Sequence, residues 1–108
     1  MKRGDLVAVA MPGDYGKPRP ALIVQSDLFA EHPSVTICLL TSHLQPTPLF
    51  RYSIDPSAEN GLSSTSQVQV DKVMTLPRSK LGAQIGTLTE RQMQEITRLI
   101  ALWMGIAG

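Results

Sequence analysis

Lys17-Pro18-Arg19-Pro20-Ala21-Leu22-Ile23-Val24 is the stretch from which the rest of the chain is read. From Ala21 to Gln25 the sequence is aliphatic and β-branched, which predicts a strand. Proline fixes its own φ and pushes the preceding residue towards extended geometry. Arg19, set between two prolines, therefore has little backbone freedom on either side. A guanidinium held at the mouth of a rigid sheet suits a phosphate or a carboxylate, because its planar fork donates paired hydrogen bonds. Taken alone, the tripeptide fits an exposed arginine at a strand entry better, making a surface ion pair of little worth.

Working outward, Gly4-Asp5 opens a short apolar strand from Asp5 to Met11, stopped by the turn signal Pro12-Gly13-Asp14. Asp27 to Glu31 predicts a helical turn ahead of His32-Pro33, and Val35 to Leu40 a further strand. Pro46 to Pro48 interrupts pairing. Leu49 to Ile54 then alternates Leu49, Arg51 and Ser53 against Phe50, Tyr52 and Ile54, as a half-buried strand does. After a loop over Asp55 to Gly61, Ser66 to Met74 alternates again, with Val68 and Val70 on one face and Gln67, Gln69 and Asp71 on the other. Short strands with turns between them, without βαβ spacing, predict an antiparallel sheet or small barrel. The chain then changes character. Thr89-Glu90-Arg91-Gln92 has the form of a capping box. Met93, Ile96, Ile100 and Trp103 recur at helical spacing, Leu99 and Leu102 widen the stripe, and Gly105 supplies a stop.

Composition bounds the function. A chain of 108 residues is expected to form a single domain over 1–108. Ten basic and nine acidic residues give a net charge of +1, which excludes a strongly basic, nonspecific nucleic-acid coat while leaving room for a local site. A lone Cys38 cannot close an internal disulfide and points to a reducing compartment; its apolar surroundings, Val35 to Leu40, read as a buried, inert thiol. No run reaches transmembrane length, and residues 1–10 lack a signal-peptide pattern, so a cytoplasmic location is expected.

No metal signature is present: His32 and His43 are eleven apart, without Cys or His companions at ligand spacing. Neither a Gly-rich phosphate loop nor a nucleophile elbow occurs. What remains is Arg19, the hydroxyl pair Thr41-Ser42 at a strand end, and Asp71 on a polar strand face. Hydroxyls beside an arginine suit an anionic oxygen, and a carboxylate can handle a proton or orient the arginine. On spacing alone, Thr41-Ser42 fits an ordinary turn cap as well, and Asp71 fits a solvated sheet face paired with Lys72 or Arg51.

At these residues the chain resembles the MazF and PemK toxins. The landmarks are Gly4-Asp5, Arg19-Pro20-Ala21-Leu22-Ile23-Val24, Thr41-Ser42, Gly61-Leu62 with Ser66-Gln67-Val68-Gln69-Val70-Asp71-Lys72, and Ile85-Gly86-Thr87-Leu88-Thr89, in that order and over nearly the whole chain. The resemblance implies a mainly β fold with α: a small SH3-like antiparallel β-barrel of the CcdB/PemK kind with a C-terminal helix, assembled as a homodimer. It implies a toxin of a type II toxin–antitoxin system, restrained by a cognate antitoxin whose acidic tail folds across the groove. The implied activity is a metal-independent, cofactor-free endoribonuclease on single-stranded RNA, in which the substrate's 2′-hydroxyl attacks phosphorus to leave 2′,3′-cyclic phosphate and 5′-hydroxyl ends. By the same resemblance Arg19 and Thr41 are catalytic, and Asp71 matches an aspartate proposed to handle a proton in the PemK branch; Lys17, Ser42, His43, Arg51 and Gln69 are expected to bind RNA.

Two departures stand out. The PemK branch carries a functional arginine two residues before its aspartate, where this chain has Gln69; the second cation is then absent or comes from elsewhere, with His43 and Arg51 nearest in sequence. The loop from Pro12 to Pro18 is also shorter than is usual for the family. A different expectation comes from the CcdB toxins, which share the barrel and dimer but poison DNA gyrase through a C-terminal Trp-Gly-Ile. The ending Leu102-Trp103-Met104-Gly105-Ile106 loosely resembles that tail, with Met104 inserted; the alternative reading of Trp103 is simple packing.

Overall fold

The computed structural model describes residues 1–11 and 17–106. The turn expected at Pro12-Gly13-Asp14 and most of the short loop before Pro18 lie outside the described residues. The strands are β1 (Asp5–Ala10), β2 (Pro18–Ile23), β3 (Ser34–Thr41), β4 (Arg51–Ile54), β5 (Ser66–Pro77) and β6 (Leu81–Thr87). Helix α1 (Glu90–Trp103) follows them, and a single turn of 3-10 helix at Asp27–Phe29 fills the expected helical turn. Among the described residues the strands form one sheet in the order β4-β5-β3-β2-β1-β6, every neighbour antiparallel.

Both faces of the central strands are dry, which explains why Val35 to Leu40 reads as an unbroken apolar run rather than an alternation. Leu6, Leu22, Cys38, Leu40, Val68 and Val70 pack on one face beneath Met93 and Ile96 of α1. Val7, Val9, Ala21, Ile23, Val35 and Ile37 pack on the other, with Leu76 of β5. The helix begins as its sequence predicts: Thr89 Oγ1 accepts from Gln92 N at 3.1 Å and Gln92 Oε1 accepts from Thr89 N at 2.9 Å. It ends at Gly105, whose φ of +74° lets Ile106 N turn back onto Ala101 O at 2.9 Å.

Three differences from the sequence reading have physical causes. β2 starts at Pro18, ahead of the expected Ala21, because pairing with β3 begins only at Ala21↔Leu39; the prolines face β1 as partners of Ala10 and Ala8, and no β3 acceptor waits for the donors they lack. β6 carries Gly82, Ala83 and Gly86, a composition that hides a strand. The expected strand over Leu49 to Ile54 is trimmed to Arg51–Ile54, since Phe50 N and Arg51 N both turn back onto Thr47 O.

β4 and β6 are opposite edges of the sheet, yet the loop leaving β4 lands on β6. Asn60 organises that loop from within: its Oδ1 accepts from Ser57 N and Leu62 N at 3.0 Å each, and its Nδ2 donates to Asp55 O at 2.9 Å. Glu59 O thereby accepts from Thr87 N at 2.9 Å. Backbone meets backbone here. A β-carbon on Gly61, whose φ is +66°, would sit 2.3 Å from Ile85 O, and one on Gly86 would sit 2.4 Å from the Asn60 carbonyl. Gly61→Ala and Gly86→Ala are each expected to cost about 3 kcal/mol in denaturant unfolding, through overpacking and, at Gly61, left-handed strain. A loss below about 1 kcal/mol would mean that the loop yields without disturbing β6.

Candidate functional site

The two strands that frame the site run on past their ladder. β2–β3 pairing stops at Ala21↔Leu39, and continuing that register sets Arg19 opposite Thr41. Thr41 is in turn paired with Gln67 of β5, and Gln67 with Ser53 of β4. One row across the sheet therefore reads Arg19, Thr41, Gln67, Ser53. Without a ladder at its Arg19 end the sheet opens, and the guanidinium reaches across: its Nη2 donates to Leu40 O at 3.4 Å.

An open-sided cavity of about 430 Å³ fills this opening. One wall is Arg19 with Thr41 and Ser42; the other is the loop that closes on β6, contributing Gly61, Leu62, Ser63, Ser64 and Ser66, with Ile85 behind it. The described lining holds a cation, five hydroxyl-bearing residues and no carboxylate. Such a set attracts an anion and offers it short donors. Thr41 is partly fixed, because its Oγ1 accepts from His43 N at 3.1 Å. One acceptor direction is thus occupied, and the hydroxyl hydrogen must take one of the others.

The expected site residues divide. Arg19, Thr41 and Ser42 come together in the cavity. Lys17 is exposed next to Pro18, a lining residue, and His43 is exposed next to Ser42; neither side chain lines the cavity. Asp71 lies outside the lining. Between the pairs Leu40↔Val68 and Cys38↔Val73, β3 advances two residues while β5 advances five, and Asp71 sits in that bulge. There Arg51 donates to it twice, Nε to Oδ1 at 2.8 Å and Nη2 to Oδ2 at 3.1 Å. Those hydrogen bonds hold the Asp71 carboxyl below the usual carboxylate range.

Arg51 and Gln69, both expected to contact RNA, are placed in the interior, 6% and 5% exposed. Gln67 is likewise buried, so what the sequence presents as a polar, solvated face of β5 is an interior one. Arg51 is engaged by Asp71 through two hydrogen bonds. Cys38 behaves as expected: burial, helped by the Asp71 charge, pushes its thiol up to about 12. The second wall, Ser63 and Ser64 above all, was missed by sequence reasoning. Its only signal is a glycine followed by a run of hydroxyls, which reads as loop chemistry as readily as a site.

The sequence model for the PemK-like, MazF-like toxin of type II toxin–antitoxin systems matches residues 2–104. The chain belongs to this family. It is 43% identical over 109 aligned residues, spanning 100% of both chains, to the probable endoribonuclease MazF of Mycolicibacterium smegmatis. Among solved structures it is similar to the Mycobacterium tuberculosis toxin MazF-mt6, at TM-score 0.81 and 26% identity over 96% of this chain and 99% of that one. It is similar also to an endoribonuclease in complex with its cognate antitoxin from a mycobacterial species, at TM-score 0.82 and 25% identity over 100% and 98%. The expected barrel with a C-terminal helix is the fold these toxins have. Family membership favours the MazF-like expectation over the gyrase poison. Trp103 packs at a tilt of 51° against Phe50, ring centroids 6.2 Å apart, and remains 52% exposed.

The Arg51–Asp71 pair makes a prediction of its own. Asp71→Asn leaves a buried guanidinium uncompensated and is expected to cost about 3 kcal/mol at neutral pH. Because the folded-state pKa of Asp71 is lowered, its stabilisation is fully present above the unfolded carboxylate value near 3.8 and is lost as pH falls through the lower folded value. Denaturant melts from pH 7 down to pH 2 should therefore converge for the two proteins in acid; melts that stay parallel would remove the pair as the source.

Proposed function

We propose that this MazF-like endoribonuclease toxin cuts single-stranded RNA without a metal, with Arg19 and Thr41 acting at the scissile phosphate. The observation that carries the reading is that Arg19 and the hydroxyl-bearing Thr41 and Ser42 line one cavity. The substrate's 2′-oxygen forms a bond to phosphorus as the bond from phosphorus to the 5′-oxygen breaks. The net proton transfer is from the 2′-oxygen to the 5′-oxygen, and the products are a 2′,3′-cyclic phosphate and a 5′-hydroxyl. Arg19 donates to the nonbridging oxygens, whose negative charge grows as phosphorus becomes five-coordinate. Thr41, with one acceptor direction occupied by His43 N, directs its hydroxyl hydrogen to the substrate. Ser42, His43 and Lys17 extend the contact along the RNA backbone on the same side. Asp71, ionised and held by Arg51, is assigned to the scaffold rather than to the reacting group.

The remaining parts of the reading follow from the family. The toxin works as a homodimer in the cytoplasm, and a cognate antitoxin with an acidic segment covers the cavity by pairing with Arg19. No described helix is long and apolar enough to cross a membrane. Among the described residues no group of three or more His, Cys, Asp or Glu side chains could hold a metal ion.

Purified toxin incubated with a long single-stranded RNA in EDTA is expected to give discrete cuts with cyclic-phosphate and 5′-hydroxyl ends. Arg19→Ala and Thr41→Val should each slow cutting about a hundredfold to a thousandfold with the fold intact. A single 2′-deoxy substitution at the cut site should abolish it. Full activity in both variants would overturn the assignment. Trp103→Ala separates the gyrase reading: growth arrest should persist in proportion to folded protein, whereas arrest lost from a stably folded variant that still cuts RNA would point to the tail.

A further inference from the structure

The geometry points to Gln67 as a positioning residue for the reaction, acting through the strand-end loop that carries Thr41 and Ser42. This rests on the assignment of Thr41 to the reacting site. Gln67 is paired with Thr41 across the β3–β5 ladder, and its side chain is 5% exposed. Its carboxamide makes three hydrogen bonds. Oε1 accepts from Gln45 N at 2.9 Å, and Nε2 donates to Gln45 O at 2.9 Å and to Ser53 Oγ at 3.1 Å.

A side-chain amide that gives and takes with one backbone residue imitates a β-ladder pair. It takes over where the ladder between β3 and β5 ends, at Thr41↔Gln67. The chain leaving Thr41 is therefore tied down at both ends of a short span: at Thr41 by the ladder, and at Gln45 by the side chain of the residue opposite Thr41. Between the two ties lie Ser42, which lines the cavity, and His43, whose N–H occupies one acceptor direction of the Thr41 hydroxyl. Gln45 O also receives Thr47 N at 2.9 Å, so the same clamp fixes where the chain turns back towards β4. A hydroxyl that must donate at one point in a transition state gains from a neighbour that forbids its other orientations. Gln67 supplies that constraint without touching the substrate.

The test uses purified toxin and a short RNA substrate under saturating and subsaturating conditions. Gln67→Met keeps the volume and removes all three hydrogen bonds. Its kcat should fall about tenfold to a hundredfold with KM little changed, while amide exchange at residues 42–46 accelerates. Gln67→Glu gives the signature that a merely structural role would not. When ionised, its carboxylate cannot donate to Gln45 O; when protonated, its single O–H can donate to Gln45 O while the other oxygen accepts from Gln45 N, restoring the exchange with Gln45 but not the donation to Ser53 Oγ. The ratio of its kcat to that of the unmodified toxin should therefore rise as pH falls through the pKa of the introduced carboxyl, with the fold monitored throughout. This variant also keeps the question answerable should Gln67→Met fail to fold. If Gln67 works through Thr41, Thr41→Val combined with Gln67→Glu will be no slower than Thr41→Val alone. Additive losses would overturn the positioning role, as would a Gln67→Met protein with loosened amides and undiminished kcat. An active Thr41→Val would instead remove the site assignment beneath it, and a slow Thr41→Val beside a fully active Gln67→Glu at neutral pH would remove the clamp alone.

Discussion

The fold depends on one close approach of backbone to backbone. A six-stranded antiparallel sheet ordered β4-β5-β3-β2-β1-β6 has two edges, and nothing in its ladders brings them together. The 55–62 loop does so by placing Asn60 and Gly61 against Ile85, Gly86 and Thr87 at distances that exclude a side chain on either glycine. The contact is affordable because Asn60, buried among main-chain groups, satisfies its own polar atoms within the loop. The loop therefore arrives already ordered. Its far side is the serine-bearing wall of the cavity, so closure of the sheet and construction of the site are one event.

The cavity itself is a gap in a ladder. β2 and β3 both continue beyond Ala21↔Leu39, but Pro18 and Pro20 have no N–H to offer, and extending the pairing would have required donors at those places. The sheet splits where its chemistry fails. Arg19 occupies the split because the prolines hold it extended and β1 pairs it with Val9, which leaves its side chain to reach over Leu40. The same two residues that deny the sheet a ladder deliver a guanidinium to the place where the ladder is missing.

Much of this was legible in the sequence, and the failures share a cause. The capping box at Thr89 and Gln92 is a local device, and local devices survive folding unchanged. The apolar run of β3 and the stripe of α1 state which residues seek an interior. Alternation, however, reports only that two faces differ. In β5 it separated Val68 and Val70 from Gln67, Gln69 and Asp71 correctly, but could not reveal that both faces are covered. Gln67 and Arg51 consequently read as solvated polar residues, when each spends its hydrogen-bonding capacity on a long-range partner. β6 was invisible for the opposite reason. Its Gly86 serves a close approach to a loop more than twenty residues earlier and its Gly82 lies against Ala8 of β1, and these demands suppress the β-branched pattern by which strands are recognised.

The division of labour between the arginines decides what kind of recognition this surface offers. Arg51 is neutralised by Asp71 in the interior and contributes little field outside it. Arg19 lies in the cavity wall with Thr41 and Ser42, where its guanidinium adjoins hydroxyls. With a net charge of only +1, the protein has little long-range attraction for a polyanion and releases few counterions on binding. Affinity must then come from short contacts, the fixed guanidinium and directed hydroxyls, and these reward the correct placement of one phosphate more than the presence of many. Discrimination between RNA and DNA needs no further device. In the proposed reaction the attacking group belongs to the substrate, and a strand without a 2′-hydroxyl would present nothing to react.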